Sequence, residues 1–310
     1  MTFSLTPAAT KIVSIVLWLV ILGYAWSIRE LFQPVIELPA STIAALLLLT
    51  VIQLGLQTVL LPLMLSCLGT QLSWRTWLPV GILSSTANML LPAQGGTALK
   101  SLYLKKQHNI DYSDTVAIAG FQLIIRLSCF TLVALIALSV YLYKQNSDYL
   151  AYPLGILLIL PILLTLVWHF QHHLITSVTQ PWLKSLATAF FRLARNRRLL
   201  ASSSLINLAI LMSNALLFAI LFTTFNVPVS AELIMLYTSL KFISLVINII
   251  PGNMGVSELL SGFFTSLLHG NFEAGVAAAL TARGVALLVS LLSAATVIIC
   301  SRNRAEKNVG

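Results

Sequence analysis

Six apolar runs, at 12–28, 42–68, 116–143, 150–170, 199–225 and 274–300, dominate this chain. Each approaches or exceeds the roughly 20 residues that a helix needs to cross a hydrocarbon core. A backbone in hydrocarbon must satisfy its own hydrogen bonds, so runs of this kind fold as helices. Two further apolar stretches are interrupted. The first, 77–91, runs into Pro92-Ala-Gln-Gly95-Gly96; the second, 233–250, runs into Pro251-Gly252 before a short apolar piece at 259–268. Only 9% of residues are charged, against about 25% in a soluble domain. No long polar stretch leaves room for a separate soluble domain. The expected fold is an all-α polytopic membrane protein, one transmembrane domain over residues 1–310.

The basic residues set the orientation. Lys184, Arg192, Arg195, Arg197 and Arg198 crowd the loop 171–198, which holds no acid. Lys11 precedes the first run, Lys100, Lys105 and Lys106 follow the first interruption, and Arg302, Arg304 and Lys307 lie in the tail. If all eight stretches crossed fully, the loop 171–198 and the cluster 100–106 would fall outside. If the two interrupted stretches are re-entrant hairpins, every basic cluster lies inside. The second solution predicts six full spans, two re-entrant helical hairpins and both termini in the cytoplasm of a bacterial inner-membrane protein. It also makes the halves 41–143 and 199–300 an inverted-topology repeat, a transporter design. The net charge of +9 then reflects cytoplasmic loops facing anionic membrane lipid, not a nucleic-acid partner. The segment 184–199 mixes Phe190, Phe191 and Leu193 with arginines, which fits a topology-setting loop and an interfacial helix equally.

The two interruptions resemble each other. Asn88, Pro92, Gly95, Gly96 and Lys100 are followed by Arg126; Asn248, Pro251, Gly252, Gly255 and Glu258 are followed by Arg283. Arg126 and Arg283 each lie about 14–15 Å into a span at 1.5 Å per residue. In a core about 30 Å thick both sit near the midplane, where a charge costs about 2.5–3.5 kcal/mol on insertion scales. Such cations need a counter-ion, water or a ligand. One reading is a structural ion pair, Arg283 with Glu258. The other is an anion site, because the guanidinium fork suits phosphate. Lys241, midway along 233–250, is a second candidate phosphate contact. Glu258 either balances Arg283 or Lys241 or carries a coupling proton. Helices restarted after Pro-Gly breaks present backbone N–H groups to anions, and the glycines allow close approach or simply make turns. Asn88 and Asn248 line the site or cap the breaks.

Enzyme chemistry is poorly represented. There is no nucleophile–His–acid arrangement, no nucleotide-binding glycine loop and no acid cluster for a divalent metal. His169, His172 and His173 sit at a span end without acids or cysteines nearby, which suits interface positioning rather than a metal. Cys67, Cys129 and Cys300 lack metal-ligand spacing. The run 12–28 lacks an A-x-A cleavage site, so it reads as a retained span. No catalytic residue, metal or cofactor is expected.

These motifs resemble the flippase-like domain of the lysylphosphatidylglycerol synthase transmembrane family, over about residues 10–300. The second half carries the resemblance through Pro251, Gly252, Gly255, Glu258, Gly270, Ala279 and Arg283. The first half matches at Asn88, Pro92, Gly96 and Arg126. It departs at Gln94, where a basic residue is common, at Thr97, where an acid is common, and at Ile125, where an acid often precedes the arginine. The resemblance implies movement of charged lipids or lipid-linked intermediates between leaflets, without the aminoacyl-transferase domain of bifunctional members. The expected ligand is an anionic lipid head group or lipid-linked phosphate, such as a phospholipid or polyprenyl phosphate. Two other readings stand beside it: an enzyme acting on lipid-linked sugars, and a non-catalytic subunit among envelope-biosynthesis partners.

Overall fold

A computed structural model describes residues 30, 33–91, 95–146, 149, 180–228, 230–242, 255–267 and 270–307. The expected spans 12–28 and 150–170, and Pro92, Gln94, His169, His172, His173, Asn248, Pro251 and Gly252, lie outside these residues. After a single helical turn at Gln33–Ile36, the described chain forms α1 (Ala40–Cys67), α2 (Trp74–Leu90), α3 (Gly95–His108) and α4 (Tyr112–Lys144). It continues with α5 (Pro181–Arg195), α6 (Arg197–Thr224), α7 (Ala231–Lys241), α8 (Val256–Leu267) and α9 (Phe272–Lys307). Among the described residues there is no strand. Four helices are long and apolar enough to cross a membrane: α1, α4, α6 and the Phe272–Cys300 part of α9. They correspond to the expected runs 42–68, 116–143, 199–225 and 274–300.

Each half therefore reads long, short, short, long: α1 to α4, then α6 to α9. The packing repeats with the order. α4 packs on α7 as α9 packs on α2, and α4 packs on α6 as α9 packs on α1. Within the halves, α1 on α2, α2 on α3 and α3 on α4 are matched by α6 on α7, α7 on α8 and α8 on α9. The pair α1–α6 joins the two halves. Leu46, early in α1, shares an apolar cluster with Leu217, Phe218 and Leu221, late in α6. Leu60, Leu61, Met64 and Leu65, late in α1, share another with Leu199, early in α6. The two equivalent helices thus run antiparallel.

The segment expected as a basic loop contains a regular helix, α5. Asn196 separates it from α6 and caps α6 by accepting the Leu199 N–H at 3.0 Å. The inner face of α5, Ala189 and Leu193, is buried. Phe190 lies edge-on to Phe121 of α4, with ring centroids 5.9 Å apart. Lys184, Arg192 and Arg195 remain exposed on the outside. At the far end of α4, Lys144 pairs with Glu232 at the start of α7 at 2.9 Å.

Helix contact relies on absent side chains at a few points. A methyl group at Gly275 of α9 would meet the Ser261 carbonyl oxygen and Thr265 of α8. Backbone cannot yield there cheaply. Gly284, two turns on in the same helix, has open space around it. Gly275→Ala should therefore lower the thermal midpoint of the detergent-purified protein, at an overpacking cost of about 1–3 kcal/mol. Gly284→Ala should leave it unchanged.

Candidate functional site

The second interruption re-enters helix at Gly255, whose φ of +80° lies in the region that favours glycine. From there the chain builds a capping box. Glu258, three residues on and only 4% exposed, accepts the Gly255 N–H on Oε2 at 2.8 Å. Its other oxygen, Oε1, accepts from Arg283 Nε of α9 at 2.5 Å. One carboxylate thus closes the start of α8 and holds the arginine. The helix dipole favours a negative charge at that position. The ion pair that the spacing allowed is formed.

Next to this pair stands α7. Tyr237 and Lys241 are four residues apart and share a face. Tyr237 is 1% exposed, surrounded by Phe218, Phe222 and Phe264, and donates to Ser261 Oγ at 2.7 Å. Lys241 Nζ lies 4.1 Å from the Phe218 ring centroid. Its helix packs on α8, which carries Glu258.

The first half is built differently. Arg126 Nε donates to Asn207 Oδ1 of α6 at 3.0 Å. Asn207 is fully buried and donates in turn to the Ser203 carbonyl at 2.8 Å. The guanidinium carbon stands 5.0 Å from the Phe242 ring centroid. Phe242 is wedged against Phe130, with centroids 4.4 Å apart. Among the described residues Arg126 has no carboxylate partner. Its hydrogen-bond acceptor, Asn207, is neutral.

Asn88 caps. Its Oδ1 accepts the Thr97 N–H of the first turn of α3 at 2.9 Å, and its Nδ2 donates to Thr97 Oγ1 at 3.2 Å. Ser84 donates to the Gly96 carbonyl at 2.9 Å. A methyl at Gly96 would strike the Ser84 carbonyl and the Asn88 backbone, and one at Gly95 would strike Leu91. These two glycines bring α2 and α3 together. Of the N–H groups at the two helix restarts, where the sequence suggests an anion could sit, those of Thr97 and Gly255 are held by Asn88 and Glu258.

A family model, the lysylphosphatidylglycerol synthase TM region, matches residues 10–294. The chain belongs to this family. No curated protein and no solved structure matches it. Family and apolar helices together make this lysylphosphatidylglycerol synthase TM-region protein a multi-pass membrane protein related to lipid handling.

The charged candidate residues of this family member, with Gly255, fall into three groups. Glu258, Arg283, Lys241 and Gly255 come together around α7, α8 and α9. Arg126 sits apart from Arg283, each with its own partners. The two groups meet at the end of α7, where Lys241 faces one and Phe242 the other. Lys100 lies elsewhere, beside a cavity between α2, α3 and the end of α9.

Sequence reasoning passed over Asn207, Tyr237 and Phe242. It also passed over Gln53 of α1, whose Nε2 is buried without a hydrogen-bond partner among the described residues, as are Ser203 Oγ and Ser239 Oγ. A scan for amide side chains inside apolar runs would have found Gln53 and Asn207. Nothing in the sequence signals that an aromatic ring covers Arg126.

Removing one member of a buried ion pair strands the other, at about 3–5 kcal/mol. Glu258→Gln should therefore lower the thermal midpoint sharply. The double variant Glu258→Gln/Arg283→Gln should recover part of the loss. Equal midpoints for the single and double variants would show that the two side chains do not act as a pair.

Proposed function

We propose that the protein moves an anionic lipid, a phospholipid or a lipid-linked phosphate, between the leaflets of a bacterial inner membrane. The observation that carries this reading is Arg126. A permanent cation near the middle of a long apolar helix is held by a neutral amide and an aromatic face. A cation–π contact contributes about 0.5–2 kcal/mol, and the hydrogen bond to Asn207 adds a neutral acceptor. Neither supplies the negative charge that the guanidinium lacks. A lipid phosphate does, through the two Nη groups not engaged by Asn207.

On this reading α2–α3 and α7–α8 are re-entrant hairpins in an inverted-topology repeat of six full spans, with both termini in the cytoplasm. The repeated helix order, the matched packing and the antiparallel course of α1 and α6 support it. Broken helices meeting near the midplane give alternating exposure of a polar cavity. The protein acts as a transporter, and no covalent step is required. Glu258 and Arg283 hold the second hairpin in shape, and Lys241 offers a further anion contact. Moving a head group past fixed dipoles and cations avoids its full desolvation in hydrocarbon.

In liposomes, fluorescent phosphatidylglycerol should become accessible to an external quencher faster with protein than without. Arg126→Gln should reduce that rate at least tenfold while the thermal midpoint holds, and Arg126→Lys should retain part of it. A folded Arg126→Gln protein with wild-type rates would remove Arg126 from the path. A cysteine at Arg195, in a chain otherwise free of cysteine, should react with impermeant reagent only from the cytoplasmic side. Outside labelling would defeat the re-entrant topology.

A further inference from the structure

Between α2, α3 and the last turns of the apolar part of α9 lies a cavity of about 700 Å³, within the range of small-ligand sites. Its walls are mainly apolar, with Leu78, Val80, Leu83, Leu99 and Val297 among them. Among the described residues two cations line it, Lys100 and Arg75, and no acidic residue does. Lys100 is only partly exposed and enters no ion pair among the described residues. Arg75 is exposed and lies over the Trp74 ring, 5.7 Å from its centroid. This chemistry is distinct from the Arg126 region: a long apolar wall beside an ammonium group without a carboxylate.

We propose that this cavity is a binding site for the phosphate end of a membrane amphiphile. Lys100 contacts the phosphate, Arg75 contributes a second positive charge at the rim, and the first carbons of the lipid chain lie along Leu83, Leu99 and Val297. The apolar wall selects a lipid over free phosphate, and the two cations select an anion over a cationic or zwitterionic head. An ammonium withdrawn from water without a counter-ion is costly, so a bound phosphate is stabilising there. The loop charges place this end of the bundle at the cytoplasmic surface, so the cavity is where lipid waits before reaching Arg126. That last step rests on the transport reading; the binding site does not.

Cys300 lines the cavity and provides the measurement. With Cys67 and Cys129 replaced by alanine, the full chain in detergent is treated with a small maleimide. Dodecyl phosphate should slow alkylation of Cys300 at least fivefold, and dodecyltrimethylammonium and inorganic phosphate should not. Lys100→Gln should abolish the protection, and so should Leu83→Trp, which fills the cavity while keeping both cations. Equal protection by the phosphate and ammonium amphiphiles, or protection that survives both variants, would overturn the proposal. Protection in detergent together with absent transport in liposomes would keep this site and remove the transport reading. Transport without protection would do the reverse.

Discussion

A guanidinium cannot discard its proton to enter hydrocarbon, so each mid-span arginine must be neutralised or given polar company. The rest of this structure is arranged around two such groups. Arg283 is neutralised. Its partner Glu258 is positioned by the capping box at the start of α8, so the break in the second half and the arginine of α9 depend on one carboxylate. Among the described residues Arg126 receives only the Asn207 amide and the Phe242 ring. The same element order thus ends in one closed electrostatic unit and one open one.

Close packing transmits this arrangement. The Gly275 contact holds α8 against α9, which sets the distance over which Glu258 meets Arg283. In the first half Gly96 and the Ser84 and Asn88 hydrogen bonds hold α3 against α2. That contact forms one wall of the Lys100 cavity. The end of α7 lies between the two arginine environments, with Lys241 turned toward Phe218 and Phe242 toward Arg126. A shift of α7 along its axis would change both environments at once. Lys144 and Glu232 tie its other end to α4.

Much of the fold was legible in the sequence, because length and apolar content identify a spanning helix directly. The four long helices follow the runs at 42–68, 116–143, 199–225 and 274–300. The Glu258–Arg283 pair was one of two readings left open by spacing; the structure forms that pair. The role of Asn88 was equally open, and the geometry makes it a cap. Other features were not legible. The segment 184–199 fitted a topology-setting loop and an interfacial helix equally, and only its packing, with Ala189 and Leu193 buried at helical spacing, distinguishes a regular helix. Asn207 went unnoticed because one amide hardly changes the hydropathy of a 28-residue helix. The partner of Arg126 lies 81 positions away, a contact only the packing of α4 on α6 creates.

On the proposed function, Arg126 serves a substrate anion because its partner among the described residues is neutral. Asn207→Asp gives it a carboxylate in place of an amide with little change in shape. The decisive measurement is the transport rate of fluorescent phosphatidylglycerol in liposomes, read beside the thermal midpoint of the same variant. The rate should be at least tenfold lower while the protein remains folded, since an internal counter-ion would then occupy the guanidinium. An undiminished rate in a correctly folded Asn207→Asp protein would contradict it.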